Sequence, residues 1–386
     1  MVLKKLENYI HSYKKILIGI ILALILFSIG STVYFHSSSY VAFNYWERFP
    51  ALKSSYLNSQ YVNKHPKGWI PDEAVNAYAG GEYIKGLSPV LIAPDTPPLG
   101  RYLIGLSAVV FDNENIIILI AGCFSFFFMY LLGEQIFHNT MISLIALLLV
   151  SLEPIIKNQF VYVPLLDIMQ LAFLLGSFYY FNKGIKFTKK MIIYFLLATV
   201  FLGCFISTKF FATGITIVLA WYIVLLLHKK WYAIKWLTAL LPISIIVLFL
   251  TYSRVFSFKS YTLFSFLGIQ KYIYLYHKSQ FILPFSIWPL LLFNHWYTWW
   301  GNIPVISDPQ WQFTWPIVTI LSFVTLVLYI LRKIPHELSI EVCMVWAVCY
   351  VLFLSVGQIT SRYLIILLPI LYLISIYGII SVVKKI

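Results

Sequence analysis

The chain has 386 residues, of which 61% are hydrophobic and 11% are charged, and its mean hydropathy is +0.84. Charged residues make up about a quarter of an ordinary soluble domain, so this composition excludes a soluble globular protein and predicts an integral membrane protein. The net charge of +14 does not indicate binding to nucleic acid, because the basic residues fall between apolar segments and form no single face or tail.

Apolar segments that are predicted as transmembrane helices recur along the chain, since about 20 helical residues cross the hydrocarbon of a bilayer. The ten segments are residues 14–34, 115–133, 140–153, 162–182, 190–207, 210–228, 234–252, 312–332, 340–357 and 362–382. Lysines precede the first segment and many apolar segments follow it, which favours a retained signal anchor. The sequence predicts an all-α integral membrane protein, a single multi-pass domain over residues 1–386 with no separate soluble domain.

The basic residues predict the orientation of these segments. If the N-terminus is cytoplasmic, every basic cluster falls on the cytoplasmic side, as the positive-inside rule requires. These clusters are residues 183–190, 229–235, 332–333 and 384–385. The C-terminus is then cytoplasmic as well. The two longest connections, residues 35–114 and 253–311, lie on the outer face, and we expect that face to belong to a plasma membrane.

Both long outer connections are predicted to contain functional surface helices, because unstructured loops of this length are uncommon. In the first, Leu99–Phe111 is apolar but too short to cross a bilayer. It follows Pro97 and Pro98, and proline suits the first turn of a helix because it fixes φ and needs no amide partner. We therefore predict a helix that lies at the outer surface over residues 99–111.

Acidic residues concentrate on the predicted outer side, and two of them bracket a short connection between apolar segments. Asp167 lies inside an apolar segment, where a carboxylate costs a few kcal/mol unless it is paired or lines a wet cavity. We interpret Asp167, and Glu153 at the other end of the connection, as functional. A structural ion pair or a helix cap is the alternative for Asp167.

Cations also occur where the positive-inside rule predicts few of them. Lys157, Lys209 and Arg362 fall in short outer connections, and Arg101 lies near the start of the predicted surface helix. Together they indicate a cavity for an anion, whereas snorkelling toward lipid headgroups is the alternative for each one. Acids beside cations at a membrane surface suit sugar transfer from a lipid phosphate. A carboxylate deprotonates the acceptor hydroxyl, and the cations hold the leaving phosphate.

The order of several motifs resembles a known family. Residues 71–89, "PDEAVNAYAGGEYIKGLSP", and residues 95–105, "DTPPLGRYLIG", are similar to the first outer loop of the dolichyl-phosphate-mannose protein mannosyltransferase family and its bacterial relatives that use polyprenyl-phosphate sugars. Four later stretches follow in the family's order: "LEPIIKNQFVYVPLLD", "GCFISTKFFATGI", "PFSIWPLLL" and "SRYLIILLPIL". The resemblance implies the GT-C fold, a helical membrane bundle whose first outer loop forms the active site with later loops.

The resemblance and the charge pattern together give a set of expected site residues. Asp72 is implied as the catalytic base, and Glu73 as a neighbour that orients it or contacts the acceptor. The residues expected to bind the donor phosphate are Arg101, Lys209, Arg362 and Lys157. The residues expected to order the cavity or contact the acceptor are Asp95, Glu153, Asp167, His277 and Trp288.

The chain also departs from the family pattern. Thr96 replaces the usual histidine, and Tyr162 stands where many relatives have arginine. Membership of the wider family is therefore implied, but a protein acceptor is not. The implied reaction is an inverting transfer of a mannose or another hexose or pentose from a polyprenyl-phosphate donor to a hydroxyl of a protein, lipid or glycan.

The sequence does not indicate an obligate metal or another cofactor, because the outer side has no Asp-x-Asp motif and the cysteines lack metal-ligand spacing. Metal binding by Asp72 and Glu153 is left open. The main alternative function is a transporter or flippase of lipid-linked sugars. That function predicts ionisable residues near the middle of the bilayer, helices broken at matched positions and internal repeats. The charges here gather at helix ends instead. A non-catalytic scaffold leaves the acids and cations of the outer side unexplained.

Overall fold

The computed structural model of the chain describes residues 2–63, 65–257, 261–278, 283–298, 302, 304–357 and 359–384, without the side chains of residues 2–12. It is 75% helical. Within the described residues the α-helices are α1 (Val2–Phe35), α2 (Ser38–Val41), α3 (Tyr45–Leu57), α4 (Asp72–Ile84), α5 (Leu99–Phe111), α6 (Ile116–Phe137), α7 (Thr140–Leu152), α8 (Pro154–Lys157), α9 (Asp167–Lys186), α10 (Met191–Thr208), α11 (Gly214–Leu227), α12 (Trp231–Leu240), α13 (Pro242–Thr251), α14 (Leu263–Lys278), α15 (Ile287–Phe293), α16 (Thr314–Ile330), α17 (Leu338–Ser355) and α18 (Leu368–Val383).

The chain is nearly all-α, as predicted, with one short sheet beside the helices. Strands β1 (Trp296–Tyr297) and β2 (Val305–Ile306) pair antiparallel, with Trp296 opposite Ile306. Aromatic and β-branched residues favour extended backbone, and both strands consist of them. Short 3₁₀ segments interrupt or extend several helices, and they are Asn158–Phe160, Thr188–Lys190, Phe211–Thr213, Val255–Ser257 and Ser361–Ile365.

The chain is a membrane protein, as predicted. Among the described residues, the helices long and apolar enough to cross a bilayer are Tyr13–Phe35, Ile116–Phe137, Thr188–Thr208, Trp231–Thr251 and Leu338–Ser355. A further span results if Thr140–Leu152 and Pro154–Phe160, which meet at an angle of 73°, are counted together. Length and composition thus support five or six spans directly.

Every predicted span contains a helix, but the count of ten crossings is not confirmed. Helices α11, α16 and α18 have 14, 17 and 16 residues, fewer than the roughly 20 that a straight crossing needs. Helix α9 has 20 residues but includes Asp167, Lys183 and Lys186. The ten-span count and the orientation in the membrane therefore stay predictions.

The helices α9 and α10 define two ends of the bundle. Helix α9 runs from Asp167 to Lys186, and α10 returns to Thr208, so Asp167 and Lys209 share one end. We call this the site end and the opposite one the lysine end. At the lysine end Lys186 Nζ lies 2.7 Å from a carboxylate oxygen of Glu337. The basic cluster around residues 183–190 therefore lies at the end opposite Asp167.

The predicted helix over residues 99–111 is confirmed as α5, whereas its place at the outer surface stays a prediction. It packs on α4 with the two backbones in contact. A Cβ placed on Gly80 would lie 2.8 Å from the carbonyl oxygen of Arg101, and one on Gly105 would lie 2.2 Å from the carbonyl oxygen of Gly80. Only glycine fits such a close approach. A Cβ on Gly100 would lie 2.7 Å from Leu166 and 3.2 Å from Thr208. Helix α5 therefore packs directly against the residues that precede Asp167 and Lys209.

The second long connection contains α14 and α15. Phe266 and Ile273 of α14 are buried in a small apolar cluster with Leu248 and Tyr252 at the end of α13. This packing fixes α14 against the bundle, because removing these side chains from water stabilises the contact in proportion to their buried area. The last turn of α14 contains His277 and Lys278.

Candidate active site

The centre of the site is the buried carboxylate of Asp167, which pairs with two cations. Its side chain is 2% exposed. Lys209 Nζ donates a hydrogen bond to Oδ1, and Arg362 donates to Oδ2 from Nε (3.1 Å) and Nη2 (2.7 Å). A carboxylate in such a position needs partners of this kind, because an unpaired charge taken out of water is very unfavourable. The ion pair expected as the alternative for Asp167 is therefore present.

Arg362 connects this buried carboxylate to Asp72. Its Nη1 donates to Asp72 Oδ2 at 2.5 Å, so one guanidinium bridges the two acids. The planar fork of arginine allows this geometry, whereas the point charge of a lysine ammonium would not. The Asp72 side chain is 52% exposed, and Oδ1 accepts no hydrogen bond from the described residues. Asp72 is therefore held on one side and open on the other.

Each of these four side chains stands at the end of a helix. Asp72 and Asp167 are the first residues of α4 and α9, where a negative charge meets the positive end of the helix dipole. Lys209 follows the last residue of α10, where a cation meets the negative end. Arg362 lies in the 3₁₀ segment Ser361–Ile365, whose first turn is fixed by a hydrogen bond from Arg362 N to Thr360 Oγ1 (3.0 Å).

Arg101 belongs to a second, buried network rather than to the four-charge cluster. Its side chain is 3% exposed. Nε donates to Asn76 Oδ1 (3.1 Å), Nη1 donates to the carbonyl of Ala93, and Nη2 lies 3.4 Å from Asp95 Oδ1. Asn76 Nδ2 in turn donates to the carbonyl of Pro164 (3.3 Å). Arg101 thus ties α4, α5 and the segment around Asp95 to the chain just before α9, and its role in phosphate binding stays a prediction.

His277 joins the second long connection to the first. Its Nε2 lies 3.1 Å from the carbonyl oxygen of Asp95, to which it donates a hydrogen bond. Its ring lies 4.7 Å from that of Phe210. Burial lowers the pKa of His277 below the ordinary 6.5, while the charge of Asp95 opposes the shift. His277 is therefore held mainly as a neutral imidazole at neutral pH.

Acidification should loosen this contact. The pKa of His277 is lower in the folded chain than in the unfolded chain, so the unfolded state takes up the proton first as the pH falls. The stability is fully present above about pH 6.5 and is lost as the pH falls through the folded-state pKa. Between about pH 7.5 and about pH 5, we expect the melting temperature of the wild type to fall further than that of His277→Gln.

Thermal unfolding in detergent, followed at several pH values, measures this difference. His295→Gln is the matched control, because His295 is exposed on the same connection. It should keep the pH dependence of the wild type. Equal slopes for His277→Gln and the wild type would contradict the prediction.

A cavity adjoins the buried ion pair. Its volume is about 230 Å³, and the residues that contribute polar side chains to its wall are Lys209, His277, Lys278, Gln170 and Thr213. The rest of the wall is mainly aromatic and aliphatic, and includes Phe210, Tyr350 and Phe353. A cavity with a cationic group and apolar walls can hold an anionic group attached to a hydrocarbon chain.

Glu153 stands apart from this cluster. It is 3% exposed and lies at the 73° break between α7 and α8. Thr314 Oγ1 (2.6 Å), Trp315 Nε1 (2.9 Å) and the hydroxyl of Tyr372 donate to its carboxylate. Three neutral donors from α16 and α18 satisfy this buried group, so Glu153 joins helices together. Its predicted contact with acceptor or cavity stays a prediction.

The remaining predicted residues make no ion pair or hydrogen bond with the cluster of charges among the described residues. Glu73 is half-buried beside Asp72 in the first turn of α4, and Lys157 is half-buried at the end of α8. Helix α8 contacts the 3₁₀ segment that contains Arg362. Trp288 is 38% exposed in α15. The structure therefore brings together Asp72, Asp167, Lys209 and Arg362, with Asp95, Arg101 and His277 in the adjoining network.

Sequence reasoning missed two contributors. Asn76 links Arg101 to Pro164, and its position four residues after Asp72 puts both on the same face of α4. Tyr363 lines the cavity, with Lys209 Nζ 4.9 Å from the centre of its ring. Its place directly after Arg362 in the quoted motif was the available signal. Among the described residues no group of three or more His, Cys, Asp or Glu side chains is arranged to hold a metal ion.

Comparison with known families agrees with the motifs. Residues 116–264 match the model of the family described as dolichyl-phosphate-mannose-protein mannosyltransferase. The matched range includes Asp167 and Lys209, whereas Asp72 and Arg362 lie outside it. No curated protein matches the chain. The match covers less than half of the chain and is consistent with the resemblance seen in the motif order.

Proposed function

We propose that this chain, whose residues 116–264 carry the matched segment of the dolichyl-phosphate-mannose-protein mannosyltransferase family, is an inverting glycosyltransferase. It transfers a mannose or another hexose or pentose from a polyprenyl-phosphate donor to an acceptor hydroxyl. The reaction takes place at the outer face of a plasma membrane, with both termini in the cytoplasm.

The proposal depends on a row of connected ion pairs that runs from Asp72 through Arg362 and Asp167 to Lys209. It begins at an exposed carboxylate and ends at a cation in the wall of an apolar cavity. A transferase that uses a lipid phosphate needs these two features next to each other. The exposed carboxylate takes a proton from a polar acceptor, and the cation meets the phosphate of an apolar donor.

Asp72 acts as the general base. Its free Oδ1 accepts the proton of the acceptor hydroxyl as the hydroxyl oxygen attacks the anomeric carbon of the sugar. The new bond forms on the face opposite the phosphate, which inverts the configuration. Because the Asp72 side chain is 52% exposed, the proton then passes to solvent. Glu73, the next residue in the same helical turn, helps to orient the acceptor.

Lys209 and Arg362 stabilise the leaving group. The bond between the anomeric carbon and the phosphate oxygen breaks with its electron pair on the phosphate, whose negative charge grows. The two cations are already fixed by Asp167, so they need little rearrangement as this charge appears. The polyprenyl chain of the donor lies along the apolar wall near Tyr350 and Phe353, which positions the anomeric carbon.

Arg101, Asp95 and His277 act as positioning residues in this proposal. Arg101 is 3% exposed and its nitrogens already donate to Asn76, Ala93 and Asp95, so it fixes the first loop on the bundle. His277 holds α14 on the same segment. Glu153 stabilises the helix packing, and Lys157 lies on α8, which contacts the 3₁₀ segment that contains Arg362. Trp288 lies on α15 of the second long connection.

The role of Lys209 can be tested with the purified protein and radiolabelled polyprenyl-phosphate sugars. Replacing Lys209 by methionine removes the cation but leaves Asp167 paired with Arg362. A hydrogen bond to a charged group contributes about 1.5–3 kcal/mol, so we expect the KM for the donor to rise about tenfold to a hundredfold. The melting temperature should change little by comparison.

Lys271→Met is the matched control, because Lys271 is exposed on α14 and does not line the cavity. An unchanged donor KM in Lys209→Met would remove Lys209 from the donor site. Movement of lipid-linked sugar across vesicles, without transfer from any donor, would support the flippase instead.

A further inference from the structure

A polar groove lies on the first outer loop beside Asp72. It runs between the end of α3, at Ser54 and Asn58, and the segment Lys67–Pro71. Its volume is about 390 Å³, and it ends against Ala74 in the first turn of α4. The groove shares no lining residue with the cavity at Lys209, where the proposed donor binds. Its size falls in the ordinary range of small-molecule sites, about 300–1,000 Å³.

Trp69 is the most exposed large aromatic residue of this groove, with 82% of its surface accessible. The backbone on both sides of it is fixed. The side chain of Gln60 both donates to and accepts from the backbone of Ile70 (3.0 Å each), and Lys67 N donates to the carbonyl of Asn58 (3.1 Å). The indole is thus presented on an anchored segment, which lowers the entropy cost of binding to it.

The other lining residues combine hydrogen-bonding side chains with the apolar residues Ile70, Pro71 and Ala74. Ser54, Ser55 and Asn58 supply hydroxyl and amide groups, and Lys67 is the one charged residue among the described lining residues. Asn58 Nδ2 donates to the carbonyl of Ser54 (2.9 Å), and no described residue donates to its amide oxygen. Hydroxyl, amide and ammonium groups around an indole fit a neutral or anionic ligand that carries many hydroxyl groups.

The position of the groove relative to Asp72 indicates the acceptor. Trp69 precedes Asp72 by three residues, so their Cα atoms are at most about 11 Å apart. Pro71 and Ala74, which line the groove, flank Asp72 in the chain. A molecule in the groove is therefore placed within about one or two sugar rings of the carboxylate.

We propose that this groove binds the acceptor, and that the acceptor is a carbohydrate whose ring stacks on Trp69. The apolar face of a sugar ring packs on the face of an indole, while its hydroxyl groups bond to Ser54, Ser55 and Asn58. The hydroxyl that reacts extends to Asp72. This inference rests on the proposed transferase function, since Asp72 defines the reacting end of the groove.

Binding without turnover tests the groove independently of catalysis. The Asp72→Asn protein in nanodiscs is applied to an oligosaccharide array and to an array of Ser- and Thr-containing peptides. We expect binding to oligosaccharides that weakens about tenfold when Trp69→Ala is added, and less when Trp69→Phe is added. Trp231→Ala, at an exposed tryptophan of α12, is the matched control and should bind like its parent.

Kinetics with a bound oligosaccharide then separates the acceptor from the donor. Trp69→Ala should raise the acceptor KM about tenfold and leave the donor KM unchanged. Equal oligosaccharide binding with and without Trp69 would overturn the proposal, as would Trp69-dependent binding of peptides alone. Brominated lipids quench the fluorescence of tryptophans that lie in the bilayer. If they quench the Trp69→Phe variant less than the wild type, Trp69 lies in the bilayer interface and the proposal is overturned. If the wild type binds the oligosaccharide but transfers no sugar to it, the transferase function is contradicted while the binding groove is not.

Discussion

Replacing Asp72 by asparagine should reduce kcat for sugar transfer by about a hundredfold to ten-thousandfold, the usual contribution of a general base. The asparagine keeps the shape of the side chain and an oxygen for Arg362, but it cannot take the proton of the acceptor hydroxyl. Stability should change little, because the Asp72 side chain is 52% exposed and Arg362 keeps its contacts with Asp167. Single-turnover assays with radiolabelled donor measure the chemical step directly.

Two neighbouring acids serve as controls for Asp72. Glu47→Gln changes an exposed acid of α3 on the same loop and should transfer like the wild type. Glu73→Gln distinguishes the two members of the acidic pair, and we expect a smaller loss than in Asp72→Asn. Nearly full activity in Asp72→Asn, with a large loss in Glu73→Gln, would move the base to Glu73.

Replacing Asp167 by asparagine should destabilise the fold by about 3–5 kcal/mol, the cost of removing one partner from a buried ion pair. Asp167 is the buried partner of both Lys209 and Arg362, and its side chain is 2% exposed. Lys209, at 13% exposed, loses the charge that compensates it. Transfer activity should fall as well, because the two cations lose the group that fixes them. Unfolding by SDS titration in mixed micelles measures the free energy.

A second substitution tests the cause of this loss. Asp167→Asn with Lys209→Met removes the uncompensated ammonium, so the double variant should be more stable than Asp167→Asn alone. Glu337→Gln is the matched control at the lysine end, where the paired Glu337 and Lys186 side chains are 27% and 29% exposed. Exposed pairs contribute about 0–1 kcal/mol, so this variant should be close to the wild type. Similar losses of stability in Asp167→Asn and Glu337→Gln would contradict the assignment of Asp167 as the partner that compensates two cations.

The sequence predicted the positions of the helices better than it predicted the number of membrane crossings. The apolar segments predicted the positions of the long helices, and the double proline and the following apolar run predicted α5 at Leu99–Phe111. The number of crossings did not follow. Several apolar segments begin or end at 3₁₀ turns or breaks, as at Ser361–Ile365 and at Glu153. Hydropathy does not distinguish such a turn from a continuing helix.

The candidate site was predicted as a set of residues but not as a set of contacts. Asp167 stood out because a carboxylate at an apolar helix start needs a partner, and Lys209 and Arg362 stood out as cations on an unexpected side. Which of them meet depends on the packing of α9, α10 and the segment before α18. That packing brings residues 195 positions apart into one ion pair. Arg101 had the same sequence signature, yet its neighbours Asn76 and Ala93 enclose it.

The glycine contacts of α5 have a consequence for protein engineering. Gly80 and Gly105 leave no room for a side chain between α4 and α5, and Gly100 leaves little between α5 and the bundle. The position of α4, whose first residue is Asp72, is therefore fixed against α5 by backbone contact, and α5 in turn packs on the residues just before Asp167 and Lys209. Mutant libraries that aim to change the proposed acceptor should keep these three positions constant and diversify the groove at Ser54, Ser55, Asn58 and residues 67–69. New specificities can then be selected without disturbing the reaction centre.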